Sequence, residues 1–147
     1  MSSLEESVAV VEDFLALVGI GRLREAAAYL APGARMMFPG DVVHTDLESL
    51  RADGLRRYRF VDKHRDTYDG AEDGTHVLST GRLFGVNLHG VAFDNVRYAD
   101  HFRLTDGLIS EQRVWNDLAV TGVLRVRSTH ELDPRRRPGE GAKEARP

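Results

Sequence analysis

The hydrophobic period changes once along this chain, near Lys63, and that change limits what it can fold into. Before it, apolar residues return every three or four positions; after it, they alternate with polar ones. A helical first half followed by an alternating second half predicts an α+β layer architecture, with helices laid across one face of a sheet.

In the first half, Ser3 and Glu6 form a capping box, and Val8, Val11, Leu15 and Val18 share one face of a helix that stops at Gly19-Ile20-Gly21. Leu23, Ala26, Ala27 and Leu30 repeat the pattern in a shorter helix ended by Pro32-Gly33, so the two helices form a hairpin. Residues 34 to 38 are short, apolar and closed by Pro39-Gly40, which predicts a strand ending in a turn. Thr45 with Glu48 predicts a second capping box, opening a third helix whose buried stripe is Leu47, Leu50, Leu55, Tyr58 and Val61. Gly54 costs that helix about 1 kcal/mol relative to Ala and marks a close contact or a kink.

The second half predicts strands near 63–69, 75–88, 91–104 and 108–119, separated by Gly70, Asp73-Gly74, His89-Gly90 and Asp106-Gly107. Asp106-Gly107 is the strongest hairpin signal, because both residues tolerate the positive φ of a two-residue turn. A length of 147 residues gives one domain with a single core, expected over residues 1–127. From Pro134 to Pro147 no apolar residue is larger than Ala, so residues 128–147 are expected to be a disordered tail.

Several functions are disfavoured. Net charge is -3 with both signs interspersed, which leaves no broad basic face for nucleic acid. There are no cysteines, hence no disulfide framework, thiolate nucleophile or sulfur-ligated zinc. The six histidines are scattered, with no pair at i, i+4 on a helix, so no metal is expected. Gly19 and Gly21 are followed by no phosphate-loop pattern. The first residues are acidic where a secretory signal is basic, and no apolar run nears the ~20 residues of a membrane span. The expectation is a soluble cytoplasmic protein with no membrane partner.

The order helix, helix, short strand with a Pro-Gly exit, helix and four antiparallel strands resembles the nuclear transport factor 2-like superfamily. Residues 97–117, RYADHFRLTDGLISEQRVWND, are similar to the signature hairpin of its SnoaL-like members, the polyketide cyclases related to ketosteroid isomerases. The segment MMFPG at 36–40 resembles the strand that leads into their pocket loop, and the likeness spans residues 4 to 124. It implies a cone-shaped, curved antiparallel sheet covered on its concave face by about three N-terminal helices. It also implies one small-molecule pocket, no cofactor, and a homodimer through the sheet with Trp115 near its centre.

In the strand 96–104, alternation puts Val96, Tyr98, Asp100, Phe102 and Leu104 on one face. A carboxyl among apolar and aromatic neighbours is pushed toward its neutral form, which makes Asp100 the first candidate catalytic residue. The resemblance gives it a role, since a matching Asp in ketosteroid isomerases stays protonated and, as a neutral carboxylic acid, donates a hydrogen bond to an enolate oxygen. In limonene epoxide hydrolases a similarly placed Asp acts as an acid. The structural alternative is a buried carboxyl tied to backbone amides or to Tyr98. Tyr98 is either a hydrogen-bond donor to a developing oxyanion or a packing residue.

If register follows the family, Gln112, Val114 and Asn116 share the inward face with Asp100. Phe14, Phe38, Tyr58 and Phe102 complete the expected substrate wall. The chain departs from the family at its base positions: Phe38 stands at the isomerase base, Val114 at the acidic position of the cyclases, and Phe14 at about the place of a helix hydroxyl donor. His44 and Asp41, in the loop after Pro39-Gly40, are candidates to replace the base, or are ordinary loop residues. Arg57, Arg59, Lys63 and Arg65 form a basic edge that complements a helix dipole or binds a substrate carboxylate. Two functions follow. One is a cofactor-independent acid/base enzyme of isomerase, cyclase, lyase or epoxide-hydrolase type, acting on a small apolar metabolite. The other is a non-catalytic ligand-binding or dimeric interaction module.

Overall fold

A computed structural model describes residues 3–132. Helix α1 (Leu4–Gly19) is capped by Ser3, whose hydroxyl accepts from the Glu6 amide at 3.2 Å, as the capping signature predicts. Helix α2 is only Leu23–Ala27. Leu30, assigned by its spacing to that helix, instead opens strand β1 (Leu30–Phe38), and Pro32-Gly33 is absorbed as a bulge with Gly33 at φ 74°. Strand β2 (Val42–His44) returns from the Pro39-Gly40 turn.

Helix α3 (Leu47–Leu55) departs from the expectation at both ends. Its cap is Asp46, whose carboxylate accepts from the Ser49 amide at 2.7 Å, not Thr45. It stops before Tyr58 and Val61, which belong to strand β3 (Tyr58–Gly70). Gly54 marks a close contact: a Cβ there would meet the Tyr58 hydroxyl as the chain folds back.

Strands β4 (His76–Asn87), β5 (Ala92–Thr105) and β6 (Leu108–Asn116) follow, with Asp106 and Gly107 at φ 52° and 79° in the β5–β6 turn. The strand order is β2-β1-β6-β5-β4-β3, a curved, unclosed sheet. It is antiparallel throughout except where β1 runs parallel to β6. Residues expected at the end of the last strand form a short helix α4 (Leu118–Thr121) closed by Gly122 at φ 70°. Residues Thr129–Leu132 form a 3-10 turn whose Leu132 packs inward, and the rest of the segment expected as a tail, 133–147, lies outside the described residues.

The interior consists of two clusters. One, under α1, joins Val11, Phe14, Leu15, Met36, Phe102 and Ile109; the other joins Leu83, Phe93, Val96, Tyr98 and Val123. No helix among the described residues is long and apolar enough to cross a membrane.

Candidate functional site

A cavity of about 520 Å³ draws its walls from both clusters. Helices α1 and α3, the end of β1 and the segment 118–125 enclose it above the sheet. Its lining is mainly apolar, from Phe14 and Leu15 through Leu83 to Leu124, and also carries Arg56, Arg57, Asp62, Lys63, Gln112, Asn116 and Arg125, polar groups that can orient a small molecule.

At its sheet wall lies one ion pair. Asp100 is 0% exposed on the inner face of β5, and its Oδ2 accepts from Lys63 Nζ and from Gln112 Nε2, the latter at 3.4 Å. The other carboxylate oxygen, Oδ1, is buried with no hydrogen-bond partner among the described residues. Burial pushes the Asp100 carboxyl up, against the opposing pull of Lys63 and Gln112. The Lys63 amine also sits 4.9 Å from the centre of the Tyr98 ring. Tyr98 exchanges a hydrogen bond of 3.0 Å with the buried Ser79 hydroxyl, and burial pushes its phenol up to about 12. Both groups that flank the amine therefore favour a bound proton.

The structure gathers most of the expected residues. Phe14, Phe38, Tyr58, Tyr98, Gln112, Val114 and Asn116 all line the cavity. Asp100 stands behind Lys63 and Gln112, which bond to it and form the wall themselves. Phe102 is not in the wall: it is fully buried in the first cluster, edge-on to Phe14 with ring centres 6.2 Å apart. Neither loop candidate for the base reaches the cavity. Asp41 is an exposed turn residue at φ 60°, while His44 turns to Asp53 at 3.4 Å, Ser49 at 3.2 Å and the edge of Phe38.

Lys63 does not belong to the basic helix edge that its neighbours in sequence suggest: it points inward from the middle of β3 to Asp100. A signal existed, because of twenty basic residues only Lys63 and Lys143 are lysines. Leu118 and Leu124, also in the wall, come from the chain after the last strand. The scattered histidines include one pair formed only by folding: His76 and His101 stack across β4 and β5, ring nitrogens 3.0 Å apart. Trp115 is 56% exposed on the outer sheet face.

No family model matches the chain, and no curated protein sequence does. Solved structures do match. A protein from Jannaschia sp. CCS1, assigned as a SnoaL-like polyketide cyclase, superposes with a TM-score of 0.67 at 20% identity, over 83% of this chain and 94% of its own. A nuclear transport factor 2-like protein of unknown function from Burkholderia pseudomallei gives 0.72 at 14% identity, over 86% and 100%. A protein assigned as a polyketide cyclase from Xanthomonas campestris gives 0.71 at 15%, over 84% and 99%.

Proposed function

From its nuclear transport factor 2-like fold and the cavity walled by its helices and sheet, we propose that this chain is a cofactor-independent acid/base enzyme acting on a small, largely apolar metabolite. The observation that carries the reading is the Lys63–Asp100 pair, a proton donor and acceptor held together where an apolar cavity meets the sheet. Proton transfer by positioned groups of this kind contributes about 10²–10⁴ in rate. Asp100 holds or releases the proton, Lys63 passes it to the cavity, and the Tyr98 and Gln112 side chains orient a polar group of the substrate. Isomerisation, aldol-type cyclisation, dehydration and epoxide opening all lie within this chemistry. Screening metabolites by thermal shift and following each hit for product tests the reading: turnover lost in Asp100→Asn supports it, and full turnover in that variant overturns it.

A second reading is a ligand-binding module without turnover. It is favoured by the apolar side chains of Phe38 and Val114, which fill wall positions where a carboxylate base would stand. A hit recovered unchanged after long incubation supports it. In either case we propose a homodimer through the outer sheet face, where Trp115 and Phe60 are exposed.

A further inference from the structure

We infer that Lys63 is a covalent nucleophile, whose amine condenses with an aldehyde or ketone held in the cavity to form an iminium. The inference rests on the reading of the cavity as a reaction chamber and names its substrate class, small apolar carbonyl compounds.

Three observations converge on it. The first is residue choice. The chain uses arginine for eighteen of its twenty basic positions, and Lys63 is the one lysine among the described residues. A cation needed only to pair with Asp100 is served as well by arginine, which offers a fixed fork to a carboxylate. Only lysine can lose its proton and attack carbon. The second is placement: the Lys63 side chain is 19% exposed, and the residue lines the cavity among Val61, Leu83 and Val114. An amine at the cavity wall is within reach of a carbonyl carbon held in the cavity. The third is the partner. Asp100 is fully buried, bonds the amine through one oxygen and keeps the other oxygen unpartnered, so it has room for the proton the amine must shed. Burial raises the affinity of that carboxyl for the proton.

The step balances without any added reagent. The Lys63 ammonium gives one proton to the Asp100 carboxylate, and the freed lone pair adds to the carbonyl carbon while the π electrons move to oxygen. A proton passes from nitrogen to that oxygen, giving a carbinolamine. Asp100 then returns its proton to the hydroxyl, water leaves, and the nitrogen lone pair closes the C=N⁺ bond. Asp100 ends as a carboxylate beside the iminium, and hydrolysis runs the same steps backward. While it lasts, the iminium draws electrons from the neighbouring carbon, which serves isomerisation, aldol cleavage or condensation alike.

The test is reductive trapping on the full chain. The protein is incubated with benzaldehyde and sodium cyanoborohydride, and the product is mapped by peptide mass. A single benzyl group on Lys63, retained in Lys143→Arg and lost in Lys63→Arg, is the expected result. Lys63→Arg keeps a cation beside Asp100; should it fail to fold, the site map of the unaltered protein decides. Benzylation of Lys143 or the N-terminal amine with Lys63 untouched overturns the inference. A parallel thermal shift with benzyl alcohol, which fills the same space but has no carbonyl, separates the two levels. Stabilisation by the alcohol without labelling of Lys63 removes the nucleophile and leaves the chamber. No stabilisation and no labelling removes both.

Discussion

Lys63 on β3 and Asp100 on β5 bond to each other across β4, the strand that lies between theirs. Lys63 is paired in register with Leu83 and Asp100 with Ser79, so the lysine reaches diagonally along the sheet. Between those two positions β4 carries Gly81, whose neighbours are Arg65 on one side and Tyr98 on the other. A Cβ at Gly81 would overlap the His64 carbonyl oxygen and come within 3.0 Å of the Tyr98 ring.

Gly81→Ala is therefore expected to push β3 and β4 apart at the point where the lysine crosses. Overpacking of this kind costs about 1–3 kcal/mol, readable as a lowered urea midpoint. Any turnover should fall further than the stability loss accounts for, because the amine and the Tyr98 ring move with the strands. Unchanged activity would show that the diagonal reach tolerates displacement.

The Asp100 carboxyl gives the fold a pH dependence of definite sign. Its affinity for a proton is raised in the folded state by burial, more than Lys63 and Gln112 lower it. Its stabilising contribution is therefore full below the ordinary carboxylate range and is lost as pH rises through its folded value. Asp100→Asn, a neutral mimic of the protonated form, lacks this slope. Its urea midpoint relative to the unaltered protein should climb between acid and neutral pH, while turnover drops by about 10²-fold or more. A relative midpoint that falls as pH rises would mean that the lysine, not burial, controls the carboxyl, and a pH-independent one that the two effects cancel.

Asn87 should prove the strongest polar anchor of the cavity wall. It is fully buried and donates to the Val123 and Val126 carbonyls at 2.9 and 2.7 Å, while its Oδ1 accepts from the His89 and Val91 amides at 2.9 and 3.0 Å. One side chain thus closes the β4–β5 turn and pins the segment that supplies Leu118 and Leu124. Asn87→Leu strips all four bonds and is expected to cost about 2–4 kcal/mol. Amide exchange over 118–126 should quicken more than exchange in α1.

Trp115→Glu tests the proposed pairing of sheets. The residue is exposed beside Arg97 and Arg113 on the outer face, away from both clusters, so its replacement should alter the stability of one chain by only about 0.5 kcal/mol. Sedimentation should show a dimer for the unaltered chain and a monomer for the variant, with the same circular dichroism. A monomer in both would remove the sheet face as an interface.

Local chemistry was legible and long-range reach was not. The Asp106-Gly107 turn and the Ser3 cap depend on neighbouring residues, and both form as expected. Alternation along β5 placed Asp100 inward correctly, because side-chain direction in a strand is set by parity alone. Tyr58 and Val61 misled because a three-residue step fits the face of a helix as well as it fits a twisted, bulged edge strand; tertiary pairing with Asn87 and Gly85 decided it. Asp46 displaced Thr45 because a carboxylate is a stronger acceptor for the first free amides of a helix. The parallel joining of β1 to β6 and the stacking of His76 on His101 bring together positions far apart in sequence, which periodicity does not encode. Lys63 belongs to the same group, since its role depends on a carboxyl two strands away.

Both clusters of the interior contribute walls to the same cavity. A guest molecule would serve as a keystone, turning two half-cores into one continuous solid. Tightness of fit and resistance to melting would then be a single property of the molecule, and a substitution in the wall that loosens one would loosen the other.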